Sequence, residues 1–319
     1  MTKPIIGISF FAGAGLMDMG AKMAGIQVAY ANEFNPKFAA YHAANFHHPD
    51  GTPVVSIKPI QEVTKEEIIA ALQKSYGDSN VDIMWGGPPC QDYTRLNTSR
   101  VTEGSASRNG LVMEFLTKVS LLNPQVAVME EVEDFIRDEV HFPLFLKACK
   151  RMNYVVNYKV MCALNYEGNS IRRRAIFIFT RKNLCKMPVF PKSIPEGRKM
   201  CGEFLDIESY TSGHFEDRLR FANEPMTTVT SGSPARFFKN GVARKPTIRE
   251  LMLCQSLDPD SYKLPKGHSY SISRKVMGNG VPTKMAYNIF KTINEQILSP
   301  VNKTIVITNA IPSSNNTKK

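Results

Sequence analysis

The chain predicts an α/β fold in which a mostly parallel sheet carries helices on both faces. Three observations carry this expectation. Short apolar runs rich in β-branched residues alternate with helical patterns from the start of the chain. Glycine-rich turns stand where several of those runs end. The 319 residues, 43% of them hydrophobic, suffice for a large domain and a smaller companion, which argues against disorder.

The elements follow in order. Ile5–Phe11 (IIGISFF) reads as a buried strand, followed by a glycine turn and a helix through LMDMGAKMAG. Gln27–Asn32 is a second strand, VDIMWG (81–86) a third and Gln125–Glu130 a fourth. Between the last two, Leu111, Val112, Phe115, Leu116, Val119 and Leu122 fall on one helical face. YVVNYKVMC (154–162) and RAIFIFT (174–180) are further strands. After Arg181 the character changes: residues 181–246 lack periodicity, are rich in Pro, Gly and Ser, and hold 12 Lys/Arg against 7 Asp/Glu. Helical pattern returns at TIRELMLCQSL and at TKMAYNIFKTINEQIL, with Met285, Ile289 and Ile293 on one face and Pro282 just ahead, a favoured start. The expected organisation is a catalytic part over 1–180, a small basic recognition domain over 181–246, a returning segment over 247–300 and a disordered polar tail over 301–319.

Lys and Arg number 40 and Asp and Glu 29, a net charge of +11, which suits a polyanionic partner such as nucleic acid or serves solubility alone. The six cysteines are scattered, without CxxC or Cys/His clusters, so neither zinc nor a disulfide framework is expected. The first apolar run is too short for a signal peptide and no run reaches membrane-spanning length. A soluble, cytoplasmic, monomeric protein is the expectation.

The chemistry concentrates at strand ends. Gly13 and Gly15 in FFAGAG let the backbone turn and approach a ligand at the head of the next helix. Glu33 ends the second strand 20 positions after Gly13, where a ribose-binding carboxylate belongs. Asp18 replaces the last glycine of the dinucleotide fingerprint, so another adenosine cofactor fits better. Cys90 follows two glycines and two prolines in GGPPCQDY, a stiff loop that holds a reactive group in place.

In this order the chain resembles the DNA (cytosine-5) methyltransferases over nearly its full length. FFAGAG is similar to their FxGxG motif, NEF (32–34) to the acidic ribose motif and GGPPCQDY to the PCQ loop. MEEV (129–132) stands where the family has ENV, SIRRRAIFI where it has QxRxR, and GNGVP (278–282) where it has GNxVP. TIRELMLCQSLDPDSY resembles the motif that closes the recognition domain. The resemblance implies a Rossmann-like S-adenosylmethionine-dependent methyltransferase fold, double-stranded DNA as partner, S-adenosylhomocysteine as product and no metal. It places Phe11, Gly13, Gly15, Leu16, Glu33, Phe34, Pro89, Leu111 and Asn279 at the cofactor. Cys90, Glu130, Arg172 and Arg174 become the catalytic set. Arg95 and, in the small polar and basic stretch TTVTSGSPARFF, Thr230, Ser231, Gly232 and Arg236 are the candidate nucleic-acid contacts. A restriction–modification or phage protection role, with a separate cognate endonuclease, follows from the same likeness.

The implied chemistry explains the residue types. C5 of cytosine is a poor nucleophile until a thiolate adds to C6, and a free thiol ionises near about 8.5, so the pocket must favour the thiolate. Glu130 would contact N3 and the amino group of the base and must carry a proton to donate at N3. Arg174 would hold O2 and brace Glu130, with Arg172 as second support and Arg173 turned toward phosphates. The base must leave the stack to reach them.

Three positions depart from the family. Glu131 replaces Asn and, if directed inward, opposes ionisation of Cys90. Ser56 stands where an Asp often meets the adenine, and Ser170 where QxRxR has Gln. Thr94 and Arg95 after the PCQ motif resemble the tRNA cytosine-5 branch, which remains an alternative, as does a catalytically weak nucleic-acid-binding homologue.

Overall fold

A computed structural model describes residues 3–89, 105–212, 218–232 and 235–299, with side chains of the second stretch given from residue 110. Cys90 and Arg95 lie outside the described residues, as does the 301–319 tail.

The first half builds in βα order: β1 (Ile5–Phe10), α1 (Leu16–Met23), β2 (Ile26–Asn32), α2 (Pro36–Ala43), β3 (Val55–Ser56), α3 (Lys65–Tyr76) and β4 (Ile83–Gly86). It continues through α4 (Ser105–Leu122), β5 (Val126–Val132), α5 (His141–Arg151), β6 (Tyr154–Cys162), β7 (Ser170–Ile171) and β8 (Arg173–Arg181). Local chemistry sets the helix starts. Asn35 accepts from the Lys37 N–H at the head of α2 with Pro36 as first residue, and Thr64 accepts from Glu67 N–H at the head of α3.

Seven strands form one sheet in the order β3-β2-β1-β4-β5-β8-β6. The first five are mutually parallel, whereas β8 runs antiparallel between β5 and β6. Period-2 alternation feeds two cores. Ile83, Trp85, Val126, Val128, Ile176 and Ile178 face one side, and Met84, Ala127, Met129, Phe177 and Phe179 the other. α1 and the C-terminal helix cover the first side, and α4 and α5 the second.

After β8 come β9 (Ser209–Thr211), β10 (Arg220–Phe221), β11 (Met226–Thr227), β12 (Arg236–Lys239) and β13 (Val242–Arg244). Four of these make an antiparallel sheet in the order β10-β9-β12-β13, and β11 pairs with β7. The buried Cys201, Tyr210 and Phe237 share a core with Leu251 and Cys254, so this segment packs on the returning helices. Those helices are α6 (Ile248–Cys254), α7 (Tyr270–Asn279) and α8 (Thr283–Ile293). Met285, Ile289 and Ile293 of α8 are fully buried, and Pro282 precedes its first turn. Past Ile293 the helix widens into a π turn, Asn294–Leu298. No helix among the described residues is long and apolar enough to cross a membrane.

Candidate active site

The strand order reverses direction between β1 and β4, and a sheet of this kind opens a crevice at the carboxyl ends of its strands there. A cleft of about 1850 Å³ occupies that place. Its walls include Phe11 and Gly13 beyond β1, Glu33 and Phe34 beyond β2, Gly87 to Pro89 beyond β4, and Glu130 to Asp134 at the end of β5.

One end of the cleft is a backbone cradle. Gly13 has φ +56° and, among the described residues, nothing within 4 Å of where a Cβ would stand, and its N–H donates to Glu33 Oε2 at 2.9 Å. The other oxygen of Glu33 accepts from Asn35 N–H at 2.8 Å. Burial raises the Glu33 pKa, while these two backbone donors and nearby His42 act against the rise. Phe34, 67% exposed, leaves a bare ring on the cleft wall.

At the other end, Glu130 and Arg174 face each other across the β5–β8 pair. Glu130 is opposite Ile176 and Val132 opposite Arg174, so the two charged residues are diagonal neighbours on one face. Arg174 Nε lies 2.7 Å from Glu130 Oε1. Gly87 borders the same carboxylate: a Cβ there would stand 2.8 Å from Glu130 Oε2. Alternation along β5 turns Glu131 to the opposite face from Glu130, where its Oε2 accepts from Val132 N–H at 3.0 Å.

A family profile described as C-5 cytosine-specific DNA methylase matches residues 5–223. The chain belongs to this family. It is 32% identical to the type II methyltransferase M.XorII of Xanthomonas oryzae over 220 residues, 66% of this chain and 48% of that one. That match therefore takes in about half of the Xanthomonas protein's length. The type II methyltransferase M.NmeDI of Neisseria meningitidis is 23% identical, over 95% of this chain and 86% of that one. Among solved structures, an Escherichia coli prophage protein assigned as a DNA modification methyltransferase superposes with a TM-score of 0.68. At 20% identity it covers 92% of this chain and 99% of that one, and shares the Rossmann-like methyltransferase fold.

Of the residues that the methylase motifs single out, Phe11, Gly13, Leu16, Glu33, Phe34, Pro89, Leu111, Glu130, Arg172, Arg174, Thr230, Ser231, Gly232 and Asn279 line the cleft. Gly15 does not. It takes φ +77° at the head of α1, and a Cβ on it would meet Phe46 Cε2 at 2.6 Å and His42 Cδ2 at 3.0 Å, so it shapes the turn from behind. Arg236 begins β12 exposed and away from the cleft lining. Arg172, 2% exposed, donates to the carbonyl oxygens of Val229 at 3.3 Å, Gly278 at 3.0 Å and Asn279 at 3.3 Å. Its reach toward backbone makes it a brace of the cleft wall. Its pKa is lowered to about 9, chiefly by burial and secondly by adjacent Arg174, with Glu130 opposing both. Arg173 is held by Glu133, with Nε 2.6 Å from Oε2, and Arg137 Nη2 joins the same carboxylate at 2.7 Å.

Other departures find places too. Ser56 is not in the cleft lining; its carbonyl accepts from Glu33 N–H at 3.0 Å, and Gln61 reaches the cleft from the next turn. Ser170 is fully buried in β7. Asp18, read only as the residue that breaks the dinucleotide pattern, is 1% exposed and accepts from Trp85 Nε1 at 2.8 Å. Lys275, Gln61 and the Glu133–Arg137 pair line the cleft without any motif to announce them. For the Glu133–Arg137 pair the signal was the acidic run EEVED with an arginine one helical turn on. Among the described residues no group of three or more His, Cys, Asp or Glu is placed to hold a metal.

Proposed function

We propose that the chain methylates C5 of cytosine in duplex DNA, with S-adenosylmethionine as donor and a covalent Cys90–C6 adduct as intermediate. The observation that carries this reading is that Glu130 and Arg174, paired at 2.7 Å, share one cleft with the Gly13–Glu33–Phe34 cradle.

The cradle suits an adenosine donor. Gly13 leaves the space a side chain would fill, Glu33 offers an acceptor for ribose hydroxyls, and Phe34 offers a bare face for a purine. Leu16, Pro89, Leu111 and Asn279 would close around it. When bound, S-adenosylmethionine supplies an electrophilic methyl group directed at C5.

The residues then divide the work. Cys90 adds as thiolate to C6, which makes C5 enamine-like and able to take a methyl group; loss of the C5 proton then breaks the S–C6 bond and releases the thiolate. Glu130 presents a proton at N3 and offsets charge as C6 is attacked. Arg174 fixes the Glu130 carboxylate and donates to O2 of the base. Glu131 follows on the other face of β5, where its Oε2 accepts from Val132 N–H. Residues 181–246 act as the recognition domain, with Thr230, Ser231 and Gly232 at the cleft and Arg95 and Arg236 at the backbone. The relatives named as type II methyltransferases support a role in restriction–modification or phage protection. A monomer acting on DNA in the cytoplasm, beside a separate endonuclease, completes the proposal.

Transfer of labelled methyl groups to duplex DNA, compared with a tRNA transcript, tests the reading. A 5-fluorocytosine duplex should trap a covalent complex that Cys90→Ser abolishes. Label only in tRNA would reassign the substrate, and no adduct on either would reject the enzyme.

A further inference from the structure

The two ends of the cleft are joined by one seam. On the cradle side, the turn that follows α7 presses Gly280 on Leu16, where a Cβ would come within 2.5 Å of Leu16 Cδ2. On the other side, Gly278 lies directly on backbone. A Cβ there would stand 2.4 Å from Ser231 N and 2.5 Å from the Thr230 carbonyl carbon. The segment 229–232 and the turn 278–280 thus touch without side chains between them, and any shift of one is felt by the other.

Arg172 ties both segments together. Its Nη1 donates at 3.3 Å to the carbonyl of Val229 and at 3.0 Å to that of Gly278, and its Nη2 donates at 3.3 Å to that of Asn279. One planar fork holds three carbonyls from two segments, and a single ammonium group cannot span them in the same way. From α7, Arg274 Nη1 adds a further tie to Gly232 O at 2.6 Å.

We propose that Arg172 is a positioning residue that couples donor binding to DNA binding. Donor at Leu16 and Asn279 orders the turn 278–280, and through the Arg172 fork it orders Val229 to Gly232, so the DNA finds that wall already set. The coupling is reciprocal, since each ligand meets a lower ordering cost after the other. The proposal rests on the reading of this cleft as the donor and DNA site.

The test measures affinity for a duplex DNA in the absence and presence of saturating S-adenosylhomocysteine. The wild-type chain should bind DNA about fivefold or more tightly with the cofactor product present. Arg172→Lys should bring that ratio close to one while each ligand alone still binds within a few-fold of wild type. Arg274→Met, at an exposed tie, should lower the ratio partway, and it decides the matter if Arg172→Lys does not fold. A wild-type ratio of one, or an unchanged ratio in the variants that fold, overturns the coupling. Failure of the wild-type chain to bind either ligand alone overturns the proposed function instead.

Discussion

Arg174 sets its Nε 2.7 Å from Glu130 Oε1, and both side chains are largely removed from solvent, at 17% and 12% exposure. A charge pair so placed is strengthened by the low local dielectric, and either partner left alone is costly. Arg174→Met therefore leaves Glu130 without its brace and, in the proposed reaction, the base without a donor at O2. The expected result is a loss of roughly 10²–10³-fold in kcat, as for removal of one preorganised donor. Single-turnover methylation with saturating donor reads this directly, and donor affinity by calorimetry should stay within a few-fold of wild type.

Glu33 makes a pH-dependent prediction. Its pKa is raised from 4.5, chiefly by burial, although Gly13 and Asn35 donate to its oxygens. A carboxyl whose folded pKa is raised holds its proton more tightly in the native state than in the unfolded chain. Its contribution to stability therefore falls as pH rises from 4.5 through the raised value, and remains lower above it. Donor affinity runs the other way, because the ionised form is the better acceptor for ribose hydroxyls. Glu33→Gln should hold or raise the melting temperature at neutral pH while weakening the binding of S-adenosylhomocysteine. In the wild type that binding should weaken as pH falls through the raised Glu33 pKa, and in Glu33→Gln this dependence should vanish.

Phe34 separates binding from folding. With 67% of its surface exposed, the ring contributes little to the core, so Phe34→Ala should leave thermal stability almost unchanged. Stacking of a base on an aromatic ring is worth about 1–3 kcal/mol by alanine substitution. Donor affinity should consequently fall about tenfold or more, with kcat at saturation retained. A fall in melting temperature with unaltered affinity would place the ring in the fold and outside the site.

Much of this arrangement was legible in the sequence because chemistry restricts the residue types at strand ends. Glu33, Phe34, Glu130 and Arg174 sit where β2, β5 and β8 meet the cleft. Glu33 and Glu130 could be assigned a place from the ends of apolar runs, whereas Phe34 and Arg174 were placed by their likeness to the family's motifs. Pairing partners were not legible. β8 inserts antiparallel between β5 and β6, and nothing local in RAIFIFT distinguishes that from a parallel strand. Arg172 hid its role for a similar reason: its partners are backbone carbonyls 57 and 106 residues away, which carry no residue signature. Gly15 looked like a ligand-facing glycine, but the space it vacates is filled by Phe46 and His42. The face taken by Glu131 depends on the register of β5, and a shift of one residue would have exchanged it with Glu130.

Gly87 yields the sharpest test of how the cleft is shaped. Its backbone lies outside the left-handed region, so alanine is tolerated conformationally, and a methyl group there would meet Glu130 Oε2 at 2.8 Å. The nearest other approach is the Glu130 carbonyl at 3.8 Å, so the clash falls almost wholly on the end of one flexible side chain. The fold can therefore accept Gly87→Ala by moving that carboxylate, and the movement strains its bond to Arg174. A misplacement of about 1 Å at a reacting group can cost about 10²-fold in rate, which bounds the effect of this smaller shift. Gly87→Ala should lower kcat by about 10-fold and by no more than about 10²-fold, while the melting temperature and the affinity for S-adenosylhomocysteine hold. Full activity in this variant would mean that the position of the Glu130 carboxylate does not govern the reaction. A second substitution, Glu130→Gln, completes a double-mutant cycle: if Gly87 acts through Glu130, the two losses in kcat should be strongly non-additive.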